Sequence, residues 1–88
     1  MSWKIEWDEK AVKELKKLGQ KEQREIITYL KKRIATKEDP RRFGKTLGYE
    51  KFGLWRYRVG NCRVICHIED ERLTVLVIRV GQRKEVYE

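Results

Sequence analysis

The stretch LWRYRVGNCRVICHI, residues 54–68, constrains the fold more than any other part of the chain. Successive side chains of a β-strand point to opposite faces. Here they alternate on both sides of a Gly-Asn pair, a combination that accepts the positive φ of a hairpin turn. A two-residue loop at Gly60-Asn61 fixes the register, with Val59 opposite Cys62, Arg58 opposite Arg63, Arg56 opposite Ile65 and Leu54 opposite His67. Trp55, Tyr57 and Val59 then share a face with Cys62, Val64, Cys66 and Ile68. Arg56, Arg58, Arg63 and His67 take the other face.

A third strand over 73–80 follows a turn near Asp70-Glu71. Its Leu73, Val75 and Val77 belong with the aromatic face, which the helices should cover, and its Leu76, Ile78 and Val80 with the arginine face. Upstream, Trp3, Ile5 and Trp7 alternate with Lys4 and Glu6, the pattern of a first strand. Asp8 can cap a helix. In that helix Ala11, Val12, Leu15 and Leu18 form the apolar stripe, and Gly19 suits the stop. A second helix over roughly 21–35 carries Ile26, Ile27, Leu30 and Ile34 on one side. Lys31, Lys32 and Arg33 near its end suit the helix dipole. A solvated face accounts for them, and a phosphate contact is the alternative.

Between 36 and 53 the pattern breaks into a basic loop with Arg41, Arg42 and Lys45, punctuated by Pro40, Gly44, Gly48 and Gly53. The expectation is a single α+β domain over 1–88 in the order β-α-α-β-β-β. Two N-terminal helices would pack on one face of a mainly antiparallel four-stranded sheet.

The chain carries 22 Lys and Arg against 14 Asp and Glu, a net charge of +8 in 88 residues. Such a balance favours a nucleic acid or an acidic protein as partner. Cys62 and Cys66 lie four apart in one strand, more than ~13 Å, too far for a disulfide. No CxxC and no second Cys/His pair offers a metal site, so neither metal nor cofactor is expected. The run LTVLVI at 73–78 is too short to span a bilayer, and MSWKIEWDEK lacks the apolar core of a signal peptide. A soluble, cytoplasmic protein with no membrane contact is the expectation.

The arginine face is unusual for a solvated one. Like charges directly opposite each other in a strand pair are destabilising, yet Arg58 and Arg63 are placed that way, beside aliphatic Ile65, Leu76, Ile78 and Val80. Guanidinium forks on an apolar floor suit phosphate or carboxylate, and an anion would relieve the repulsion. The competing reading is neutralisation in cis by Glu69, Glu71 or another carboxylate.

The order of elements and the string GLWRYRVGNCRVICHIEDERLTVLVIRVGQRKEVY resemble the RelE-type toxins of the RelE/ParE toxin–antitoxin superfamily. The likeness is close over 53–87, through WRYRVG, CRVIC and VIRVGQRKEVY together, and general over 3–52. It implies a ribosome-dependent endoribonuclease that cuts mRNA in the decoding site of a 70S-type ribosome. It implies also a small, acidic, RelB-like cognate antitoxin, with operator DNA bound only through the antitoxin complex. By resemblance the catalytic set is Arg56, Arg63, Arg83 and Tyr87, with Lys45, Lys51, Arg58 and Lys84 as RNA-binding residues. Where a well-known version of the family carries two lysines, this chain has Leu54 and Arg56. Arginine stays protonated, so the resemblance leaves the identity of the general base open. His67 does not match the histidine that some branches place near the C-terminus.

The implied reaction is attack of a ribose 2′-hydroxyl on the adjacent phosphate, giving a cyclic phosphate and a 5′-hydroxyl. Arg56, Arg63 and Arg83 would stabilise the phosphorane, Tyr87 would orient the nucleotide, and the ribosome would align the strand. Two other readings stand beside it: a ParE-type gyrase poison of the same fold, and a non-catalytic nucleic-acid-binding module.

Overall fold

A computed structural model of the chain describes residues 2–46 and 54–82. It opens with strand β1 (Lys4–Trp7), followed by helices α1 (Glu9–Lys16) and α2 (Gln20–Tyr29). The Asp8 carboxylate caps α1 by accepting from the Lys10 N–H at 3.1 Å. Glu9 in the first turn and Lys13 and Lys16 in the last complement the helix dipole. Ala11 and Leu15 are its buried residues. Gly19 begins α2 with no side-chain cap, and Gln23 Nε2 instead donates to the Leu18 carbonyl at 2.8 Å, tying the helix to the turn before it.

Past Tyr29 the helix widens into a π-helical turn, Leu30–Ile34, closed by the Ala35 N–H on the Leu30 carbonyl. The sequence reading extended one α-helix through this stretch. Ile26, Leu30 and Ile34 recur every four residues, a spacing that overshoots the 3.6-residue α-turn by about 40° per step. The wider turn allows for that drift, and all three side chains are buried.

A short 3₁₀ turn, Pro40–Arg42, leads to β2 (Lys45–Thr46), then to β3 (Leu54–Val59), β4 (Cys62–Glu69) and β5 (Thr74–Gln82). The sheet has five strands in the order β1-β5-β4-β3-β2, against the four expected. The additional strand, β2, pairs two residues with β3, Lys45 opposite Arg56 and Thr46 opposite Trp55. The pairing is antiparallel throughout except that β1 runs parallel to β5. After the helices the chain re-enters at the far edge, and the meander β3-β4-β5 carries it back until β5 lands beside β1.

The β3–β4 hairpin has the register read from the sequence, including Arg58 opposite Arg63 and Val59 opposite Cys62. Gly60 turns with φ +59° while Asn61 stays at negative φ, the pattern of a II′ turn. The β4–β5 pair departs from strict alternation. A β-bulge shifts the register between Ile65 and Cys66, so that Ile65 faces Arg79 and Cys66 faces Val77. Beyond it the parity of β5 is reversed, and Val80, expected on the arginine face, is buried in the main core with Val64 and Val77. Leu73, expected in the strand, sits in the preceding turn at φ +47°. Nor does β5 stop at Val80, the end of the expected 73–80 strand: it continues to Gln82, with Gly81 opposite Arg63.

The main core lies between the helices and one face of the sheet, where Ala11, Leu15, Ile26, Leu30 and Ile34 meet Tyr57, Val59, Val64, Cys66, Val75 and Val77. Cys62 and Cys66 are both free and buried there, as expected, and burial raises both thiol pKa values. No described helix is long and apolar enough to cross a membrane, and the described residues contain no cluster of metal-ligating side chains.

Candidate phosphate-binding cleft

Gly44 decides how the chain enters the site. It has φ +76°, and a Cβ there would lie 2.2 Å from the Arg56 carbonyl oxygen and 2.8 Å from both Trp55 Nε1 and Tyr57 Cδ1. Only glycine lets the segment turn this close to β3. The approach is held by Trp55 Nε1 donating to the Phe43 carbonyl at 2.6 Å and by the Tyr57 hydroxyl donating to the Pro40 carbonyl at 2.7 Å. These two aromatic residues anchor the basic loop to the sheet edge and deliver Lys45 into register with Arg56.

A cleft of about 350 Å³ results, lined by Lys45, Arg56, Arg58 and Arg63 together with Tyr29, Phe43, Gly44 and Tyr57. Four of the eight residues predicted from the sequence therefore meet in one place. The other four, Lys51, Arg83, Lys84 and Tyr87, lie outside the described residues. Tyr29, Phe43, Gly44 and Tyr57 were not singled out as site residues. The signal for two of them is the string RRFGK, an aromatic and a glycine set between cations.

No carboxylate lines this cleft among the described residues. Two described carboxylates near the sheet engage cations elsewhere. Glu69 pairs with Arg72 and lies 3.4 Å from His67 Nδ1. Asp70 takes both guanidinium nitrogens of Arg41, at 3.0 and 2.8 Å. The hydrogen bonds from Arg72 and Arg41 lower the pKa values of Glu69 and Asp70 respectively. Of the two carboxylates considered for cis neutralisation, Glu69 is committed to the β4–β5 turn. The apolar floor exists as a small separate cluster in which Ile65, 3% exposed, packs with Leu54 and Ile78.

Acid–base candidates are few. Burial raises the pKa of the Tyr57 hydroxyl strongly and that of Tyr29 in the same direction, so both stay protonated near neutrality. His67 does not line the cleft. The arrangement can orient and neutralise an anion, above all the oxygens of a phosphodiester. It contains no described group suited to take a proton at neutral pH.

A mixed sheet backed by two helices is a fold this chain shares with small toxins. The chain belongs to the ParE toxin family of type II toxin–antitoxin systems (parDE), whose model matches residues 5–87. Its likeness extends to Rel toxins, by sequence and by fold. It is similar to Toxin RelG of Mycobacterium tuberculosis, 39% identical over 49 residues. That match spans 56% of either chain, about half the length of the curated relative. Among solved structures it is similar to a chain of the RelBE2 toxin–antitoxin complex from M. tuberculosis, with a TM-score of 0.78 and 26% identity over 97% of this chain and 95% of that one. The free mutant toxin RelE of E. coli has the same fold, with a TM-score of 0.74 and 24% identity over 93% of this chain and 84% of that one.

Proposed function

We propose that this toxin arrests translation as a metal-independent endoribonuclease acting on mRNA in the decoding site of a 70S-type ribosome. The observation that carries the reading is the cation-lined cleft, where Arg58 and Arg63 stand opposite each other with Lys45 and Arg56 alongside and no described carboxylate in the lining. A phosphodiester seated there relieves like-charge repulsion and gains charge-assisted hydrogen bonds in one step.

The ribose 2′-hydroxyl attacks the adjacent phosphorus, the bond to the 5′-oxygen of the next nucleotide breaks, and a 2′,3′-cyclic phosphate and a 5′-hydroxyl form. Arg56 and Arg63 stabilise the extra negative charge of the phosphorane, and Arg83 joins them. Tyr87 orients the nucleotide, while Lys45, Lys51, Arg58 and Lys84 hold flanking phosphates. Alignment of the strand by the ribosome supplies much of the rate. The same basic face accounts for a small acidic, RelB-like antitoxin as cognate partner, with operator DNA engaged through that complex. The cytoplasm, where ribosomes work, is the place of action.

The test uses purified ribosomes programmed with a synthetic mRNA. Cleavage is expected on the ribosome and not on free mRNA, and a single 2′-deoxy substitution at the scissile nucleotide is expected to abolish it. Cleavage that survives the 2′-deoxy substitution would refute the mechanism.

One observation favours a second reading. The family model that matches 5–87 describes ParE toxins, which makes DNA gyrase the alternative target. Gyrase-linked DNA breaks in induced cells, with intact mRNA, would favour that target.

A further inference from the structure

The cleft does not end at its four cations. Two of its walls are the aromatic rings of Tyr29 and Phe43, which meet edge to face with centroids 6.3 Å apart. Two further guanidinium groups stand over those rings. Arg33 stands over both, 5.4 Å from the Phe43 centroid and 5.9 Å from that of Tyr29, and Arg42 stands 4.8 Å from the Phe43 centroid.

How these groups are held matters more than their number. A carboxylate that fixes an arginine also cancels its charge, as Asp70 does for Arg41. An aromatic ring fixes the guanidinium plane while leaving the charge and the in-plane N–H donors available. Arg33 makes no ion pair with any described residue, and Arg42 has only an exposed contact with Glu38 at 3.7 Å. Arg33 also lies in the π-helical turn Leu30–Ile34, a kind of helix irregularity frequent at functional sites.

We propose that Arg33 and Arg42, oriented on Phe43 and Tyr29, form a second phosphate site that continues the cleft into a track for single-stranded RNA. The strand's scissile phosphate lies at Arg56 and Arg63, the flanking phosphates lie at Lys45 and Arg58, and the next phosphate beyond them reaches Arg33 and Arg42. Basic grooves interleaved with aromatic rings are the usual means of holding single strands, and a cleft of about 350 Å³ holds a nucleotide-sized group, not a duplex. The choice of RNA over single-stranded DNA rests on the nuclease reading above.

The experiment measures fluorescence anisotropy of labelled single-stranded RNA, a trinucleotide and a dodecamer, with the full-length toxin over a range of salt. Arg33→Gln and Arg42→Gln each change an exposed side chain. Each is expected to leave the thermal midpoint and trinucleotide binding unchanged. For the dodecamer, each is expected to weaken binding and lower the slope of log affinity against log salt by about 0.7, the value for one phosphate contact on a single strand. Phe43→Leu keeps both charges and removes the ring, so weaker dodecamer binding with the slope retained is expected.

Dodecamer binding by both arginine variants with the wild-type slope would overturn the track. So would a wild-type protein that binds no dodecamer at low salt, or slope changes confined to duplex DNA. The two readings fail separately. Lost slope in the variants with no cleavage on ribosomes sinks the nuclease alone. Cleavage on ribosomes with unchanged slopes sinks the track alone.

Discussion

Arg56, Arg58 and Arg63 reach one face because the side-chain period of a strand is two and the turn at Gly60-Asn61 admits one register. That much was legible from the string itself, since every pairing in the hairpin follows from the alternation and the turn. The rest of the cleft depends on contacts between residues far apart in sequence. Gly44 reads in the sequence as one loop glycine among several. Its role appears only when its Cβ position meets the Arg56 carbonyl oxygen at 2.2 Å. Gly44→Ala is therefore expected to lose about 2–3 kcal/mol in urea unfolding, from the left-handed backbone penalty and the collision together. The same variant should lose the proposed RNA cleavage, because Lys45 can no longer take its place opposite Arg56. A variant as stable as wild type would show that the approach of this loop to β3 is not what holds the cleft together.

At the level of elements, the longest strand is secured by a contact that no alternation pattern reveals. β1 ends at Trp7, and the edge of β5 beyond Val77 passes under α1. There the Glu14 carboxylate accepts from the Val80 N–H at 3.0 Å and from Arg79 Nη2 at 2.9 Å. The bulge at Ile65/Cys66 turns Val80 inward, and Glu14 satisfies the backbone group that this leaves at the edge. Burial disfavours the charged form of Glu14, but the bonds from Arg79 and Val80 outweigh it, and its pKa is lowered. A carboxyl whose folded pKa lies below its unfolded value adds stability above the unfolded value, about 4.3 for glutamate, and that share is lost as pH falls through the folded value. Glu14→Gln keeps an acceptor for Val80 and removes the charge. It is expected to cost about 1–2 kcal/mol at neutral pH, with the gap to wild type narrowing below about pH 4.3. Thermal unfolding across that range checks it, and a constant gap would count against the ion pair.

These element-level features explain where sequence reading stops. β2 is only two residues long and exists by pairing with β3, so Lys45-Thr46 carries no periodic signal of its own. The parallel pairing of β1 with β5 is a matter of where the chain re-enters the sheet. The bulge adds one residue to β5, and strict alternation therefore misplaced Val80. The π-turn at Leu30–Ile34 has a visible cause, the four-residue spacing of its isoleucines and leucine, although that spacing also suits an ordinary helix.

Taken whole, the molecule separates its charges by place. Two carboxylates at the β4–β5 turn engage Arg41 and Arg72, while the charged residues in the described lining of the cleft are all cations. A net charge of +8 on so small a domain adds long-range attraction for a polyanion, and the cleft gives that attraction a point of contact. Membership of the toxin family fixes the biological class, and the target of the proposed chemistry is what remains to be measured. The most direct measurement is primer extension on mRNA from cells induced for the wild-type toxin and for Arg63→Ala. Codon-phased cuts that the variant abolishes, by a factor of roughly a hundred or more, are the predicted result. Uncut mRNA in arrested wild-type cells, or cutting by Arg63→Ala at the wild-type level, would contradict the account.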